Sequence, residues 1–190
     1  FKSMFGFLLL VILGLGMSAM LGAGRHIALR MWAFPVLVAV TGPLILVNAV
    51  FKNNWGRARP HRVEEFGGDL IFSRAYAISD QCATDCSFTS GEGAGITAIA
   101  ILLGVIFWHN VKHKSWLIGA LSLLVFVGAG LRLIKGMHFF SDTTLSILFC
   151  SLIAVFFYWL LNVARHQRSF TWGNFKADLR LFAQRLKLIR

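Results

Sequence analysis

Residues 115–161 read SWLIGALSLLVFVGAGLRLIKGMHFFSDTTLSILFCSLIAVFFYWLL: two apolar runs, 115–134 and 143–161, separated by a short stretch that carries Lys135, His138 and Asp142. Each run approaches the ~20 residues a helix needs to cross the hydrocarbon core of a bilayer. The segment therefore predicts two consecutive membrane spans with Arg132, His138 and Asp142 at one mouth.

Working outward, further apolar runs cover 5–23, 31–51 and 94–108. The last is short, so its helix is expected to begin within Ser90-Gly91-Glu92. At 57% hydrophobic and 14% charged residues, with mean hydropathy +0.69, the chain exceeds the apolar content of a soluble domain. The expected fold is all-α, a polytopic transmembrane helix bundle with five spans, followed by a separate tail. Residues 1–162 form the membrane domain, with 52–93 as its long external loop and helical or interfacial segments within it. Residues 163–190 form the tail.

Five spans put 25–30, 109–114 and the tail on one side, and 52–93 and 135–142 on the other. The first set carries eleven Lys/Arg and the single acid Asp178, whereas 52–93 holds five Lys/Arg and six Asp/Glu. By the positive-inside rule the basic set is cytoplasmic. The expected location is a bacterial inner membrane, multi-pass, with the motif-bearing side facing the periplasm. The net charge of +11 then sits toward the anionic inner leaflet, which removes the need for a nucleic-acid partner. An odd span count places Phe1 outside, and the chain opens Phe1-Lys2-Ser3 with neither an initiator Met nor a signal-cleavage pattern. Either a helix precedes it or five spans are natural.

Cys82 and Cys86 lie in the external loop, where a short disulfide is permitted, although two free thiols fit the sequence equally. Cys150 lies within the last span and reads as a small buried apolar residue. A zinc site is not expected, since no second Cys/His pair accompanies Cys82 and Cys86.

The chemistry gathers in three clusters: Lys52-x6-Arg59-Pro60, Ser90-Gly91-Glu92 and Arg132-x5-His138-x3-Asp142. Lys52, Arg59 and Arg132 can neutralise phosphate oxygens, and His138 and Asp142 share one helical face, where a carboxylate can orient an imidazole. That is the pattern of an activated histidine nucleophile facing a phosphoryl group. Singly, each cation at a span end reads better as a headgroup anchor. Their joint order and spacing favours the site. Arg57, His61, Arg62 and Arg74 rank second, read mainly as a solvated loop balanced by Glu64, Glu65, Asp69, Asp80 and Asp85.

These residues resemble the membrane-bound type-2 phosphatidic acid phosphatase superfamily, whose pattern is Lys-x6-Arg-Pro, then Pro-Ser-Gly-His, then Ser-Arg-x5-His-x3-Asp. The first element is complete here, and the third is complete except that Leu131 replaces Ser. In the second, Thr89-Ser90-Gly91-Glu92 stands for Pro-Ser-Gly-His. The resemblance covers about 31–161 and implies six spans in the full fold and a periplasmic active site. It implies that His138 attacks phosphorus while Asp142 holds its other ring nitrogen. Lys52, Arg59 and Arg132 would bind the equatorial oxygens, with help from Ser90 and the Gly91 N–H. Glu92 would take the place of the His that protonates the leaving oxygen. No metal or other cofactor is implied, since the three cations supply the charge.

The stretch Cys86-Ser87-Phe88-Thr89-Ser90-Gly91-Glu92 is most similar to the second element of bacterial lipid A 1-phosphatases and their relatives. Together with Glu92 as the weaker acid, this favours the 1-phosphate of lipid A, with undecaprenyl diphosphate or phosphatidylglycerophosphate as alternatives. The expected partners are an anionic phospholipid or glycolipid substrate and the membrane, with no obligate protein partner. A phospholipid-binding or transport protein is the non-enzymatic alternative, favoured only by the missing second His. In the tail, Phe175, Leu179, Phe182, Leu186 and Ile189 recur at helical spacing among basic residues, predicting an amphipathic helix on the inner leaflet.

Overall fold

The computed structural model describes residues 26–185, and every regular element in it is helical. The expected span 5–23 lies outside the described residues. Among the described residues, three helices are long and apolar enough to cross a membrane: α1 (Leu29–Asn54), α3 (Lys114–Ile134) and α4 (Phe140–Leu160). The shorter apolar helix α2 (Gly91–Phe107) packs against α1, α3 and α4 and forms the centre of the bundle. A single turn, α5 (Val163–His166), leads to the tail helix α6 (Trp172–Arg185).

The helix boundaries follow from local chemistry. Ser90 caps α2, its hydroxyl accepting from the Gly93 N–H at 3.0 Å, so the helix starts inside Ser90-Gly91-Glu92. At the start of α4 the Asp142 carboxylate accepts from the Phe139 N–H at 3.1 Å, closing the first turn. Within α1, Pro35 and Pro43 remove two backbone donors, and from Val40 to Phe51 the helix widens into π-type turns. The Asn48 amide donates to the Pro43 carbonyl at 2.6 Å, satisfying an acceptor within that distorted stretch. The widened helix delivers Lys52 at its end.

Close approach in the bundle depends on small residues. A Cβ on Gly93 would lie 2.5 Å from the Ser146 hydroxyl, so glycine permits the contact between α2 and α4. The core lies around Ile27, Phe34, Val38 and Val47 of the first segment, Ala94 of α2, and Cys150 and Ala154 of α4. α3 contrasts with this: Trp116, Phe126 and Ile134 are each more than three-quarters exposed, the surface of a helix that faces lipid.

The expected loop 52–93 is shortened to 55–90 by the helices at its ends, and it is ordered by single turns at Pro60–Arg62 and Glu64–Phe66 and by bonds to distant backbone. The His61 N–H reaches the Gly136 carbonyl at 3.1 Å and the Ser79 N–H the Trp55 carbonyl at 2.9 Å. Gly56, at φ +62°, makes the turn after α1 in a position where any Cβ would strike the Ser79 carbonyl. Cys82 and Cys86 are joined in a disulfide, and Cys150 is free and buried.

Tail helix α6 packs against the start of the first described span. Phe175 packs on Trp32 and Phe170, and buried Asp178 accepts from the main-chain N–H groups of His26 and Ile27, each at 3.0 Å. Leu179 is half-exposed, while Leu186 and Ile189 lie outside the described residues.

Candidate functional site

Four segments converge at the mouth of the bundle: the end of α1 with the extended stretch after it, the loop 82–89, the first turn of α2, and the turn between α3 and α4. Trp55 stacks on Phe88 with ring centroids 4.6 Å apart, and Phe51 meets both rings, which fixes the first two segments to one another. This brings Lys52, Arg59 and Arg132 near His138, and the charges of all three act on its imidazole.

His138 is buried, with 3% exposure. Its Nδ1 lies 2.7 Å from the Ser87 carbonyl oxygen. A carbonyl only accepts, so Nδ1 carries the proton and Nε2 keeps the lone pair. Burial first, and then the positive charges of Lys52, Arg59 and Arg132, bring the imidazole down to about 3 against the opposing effect of the Ser87 bond. The ring is therefore neutral at physiological pH, with Nε2 available as a nucleophile.

Asp142 is placed differently from the sequence-based expectation. Its carboxylate does not hold the His138 ring. It is fully buried and accepts from Arg57 on one oxygen and from the Ser87 hydroxyl, at 2.5 Å, and the Phe139 N–H on the other. The position four residues on from His138 points at the loop packed over α4, because His138 lies before the first turn of that helix. Ser87 thus stands between the two residues, hydroxyl toward Asp142 and carbonyl toward His138.

Arg57, given second rank from sequence, is 2% exposed. Its Nε donates to the Ser73 carbonyl and its Nη1 to the Ser141 hydroxyl, each at 2.9 Å, and to Asp142. The guanidinium lies 4.2 Å over the Phe139 ring. Its spacing beside Arg59 was visible in the sequence, but its acceptors were not.

The three cations expected to bind phosphate are paired with acids. Asp85 places one carboxylate oxygen 2.7 Å from Arg59 Nη2 and the other 3.4 Å from Lys52 Nζ, and its carbonyl accepts from Arg59 Nε at 2.9 Å. Asp85 was read as part of a solvated loop; it is 58% exposed yet reaches the site from the loop that the Cys82–Cys86 disulfide closes. Arg132 pairs with Glu92. Ser90 is buried and serves as the cap of α2, and Gly91, beside Asn48 and Lys52, opens the helix whose N-terminal N–H groups face this region.

The family model for the PAP2 superfamily matches residues 30–165. The chain is 35% identical over 133 residues to the lipid A 4′-phosphatase of Francisella tularensis subsp. novicida (strain U112), covering 67% of this chain and 54% of that protein. It is 33% identical over 134 residues to the lipid A 4′-phosphatase of Rhizobium leguminosarum, with the same two shares. Against the lipid A 4′-phosphatase of Rhizobium etli it is 32% identical over 133 residues, covering 67% of this chain and 49% of that protein. The chain thus spans about half the length of the curated relatives it matches. They are 4′-phosphatases by name and not the 1-phosphatases to which residues 86–92 pointed. No solved structure matches.

Proposed function

The chain belongs to the PAP2 superfamily, and from that premise we propose that it is a membrane lipid phosphatase that removes a phosphate from lipid A through a phosphohistidine. The observation that carries this is the neutral His138 ring, proton fixed on Nδ1 by the Ser87 carbonyl, beside three cations. Nε2 attacks phosphorus in line. Lys52, Arg59 and Arg132 take the equatorial oxygens as Asp85 and Glu92 yield them, stabilising the charge of the transition state. The N-terminal N–H groups at Gly91 add donors at the mouth of α2. Glu92, released from Arg132 as the guanidinium turns to phosphate, takes up a proton from solvent and passes it to the leaving oxygen, ending as the carboxylate again. Water then hydrolyses the phosphohistidine.

The relatives favour the 4′-phosphate over the 1-phosphate. A 4′ alkoxide is a poor leaving group, so that reading demands more of Glu92 than an anomeric phosphate would. We place the site on the periplasmic face of a bacterial inner membrane, on the charge asymmetry of the chain.

The test is phosphate release by detergent-purified protein from lipid A, undecaprenyl diphosphate and phosphatidylglycerophosphate, with His138→Ala as the blank and mass spectrometry locating the phosphate left on lipid A. Release from the 4′ position that vanishes in the variant supports the reading in full. Release from the 1 position alone overturns the positional part. No release from any substrate, with binding retained, makes the protein a lipid-binding one.

A further inference from the structure

We propose that Ser87 and Arg57 are positioning residues for His138, acting through a buried chain from Arg57 to Asp142, to the Ser87 hydroxyl and, across the Ser87 peptide, to the imidazole. The inference rests on the phosphatase reading above.

Ser87 is fully buried and held at three points. Its N–H donates to the Arg57 carbonyl at 2.8 Å, its hydroxyl to Asp142 at 2.5 Å, and its carbonyl accepts His138 Nδ1 at 2.7 Å. The direction of that carbonyl is therefore the direction of the ring, and it selects the tautomer that leaves Nε2 free. Arg57 braces the residues that follow His138: its guanidinium lies over the Phe139 ring and donates to Ser141 and Asp142. A guanidinium buried this deeply is stable only with its acceptors in place, so it fixes three chain segments to one another. Arg57 makes these contacts inward, whereas Arg59, two residues on, pairs with Asp85.

The tests are steady-state kinetics on lipid A and 15N spectroscopy of the His138 ring, for Ser87→Ala, Asp142→Asn, their double variant and Arg57→Gln. Ser87→Ala keeps the carbonyl and loses only its anchor. It is expected to lower kcat by about 10- to 100-fold with KM within about twofold, and to mix the two imidazole tautomers. Arg57→Gln is expected to lower kcat in the same way. The double variant is expected to be no slower than Asp142→Asn alone, since the residues act as one unit. Ser87→Thr, which restores the hydroxyl, is expected to recover turnover to within about threefold of the parent, and it stands in if the alanine variant does not accumulate. Wild-type kcat in Ser87→Ala beside an inactive Asp142→Asn would overturn the proposal, as would a rise in KM with kcat unchanged. Turnover that survives His138→Ala would instead refute the phosphohistidine reading itself.

Discussion

Asp142 and Asp178 stand at opposite ends of the bundle, and each is a buried carboxylate that gathers donors from far away in the chain. Asp142 takes Arg57 from 85 positions away and the Ser87 hydroxyl from 55. Asp178 takes the main-chain N–H and the ring Nδ1 of His26 from 152 positions away, and the N–H of Ile27. The difference lies in what the donors are joined to. At Asp142 they include a permanent cation and a serine whose own carbonyl touches the candidate nucleophile. At Asp178 they include the two residues that lead into α1, so that carboxylate fastens the tail helix to the start of the first described span. One device serves geometry at one end and attachment at the other.

Substitution at both ends puts the contrast at risk. Asp142→Ala leaves Arg57 buried without its carboxylate, a change that costs roughly 3–5 kcal/mol in buried pairs. It is expected to abolish phosphate release by more than ~100-fold, and an Asp142→Ala protein that turns over normally would end the distinction. Asp178→Ala is expected to keep kcat within about twofold while losing about 1–3 kcal/mol of stability from its unpaired donors. Protease sensitivity of the tail on the folded protein is the readout, and a tail as resistant as the parent's would sink the clamp.

The pH profile sharpens the same contrast. With the folded imidazole of His138 brought down to about 3, kcat/KM is expected to show no acid limb near the ordinary histidine value of ~6.5. The unfolded chain takes that proton near ~6.5 and the folded one does not, so this residue withdraws stability as pH falls from ~6.5 toward about 3. Ring 15N shifts of His138 that titrate near ~6.5 in the folded wild-type protein would contradict the buried, neutral ring. The smallest effect belongs to Asp85→Asn. Because Asp85 is largely exposed, losing its charge is expected to tighten inhibition by inorganic phosphate only a few-fold. Weaker inhibition would show that Asp85 supports the anion site rather than competing for it.

Much of this was legible in the chain. The apolar runs 31–51 and 115–134 lie within the helices Leu29–Asn54 and Lys114–Ile134, and the run 143–161 follows Phe140–Leu160 to one residue past its end, because bilayer thickness imposes length and composition on each. The start of α2 was legible from Ser90, a residue that caps by its own side chain. That Lys52, Arg59 and Arg132 would come near His138 was legible because the motif spacing sets them at or just beyond the ends of particular helices. The link from Asp142 to His138 was misread because it runs through a peptide carbonyl, a group every residue has and no sequence distinguishes. Arg57 and Asp85 were under-ranked for a related reason. Charges in a polar loop look solvated until the partners, contributed by α4 and by the end of α1, are known.

The placement of Asp85 has a consequence for the second half of a catalytic cycle. A site of bare cations would hold product phosphate somewhat more firmly and slow its release. With a carboxylate of the same chain poised between Lys52 and Arg59, phosphate bound there as proposed would exchange one anion for another. The strength of the site is then a difference between two partners rather than the sum of its attractions. On the proposed reaction, departure of the product would be matched by the return of a tethered competitor whose local concentration never falls.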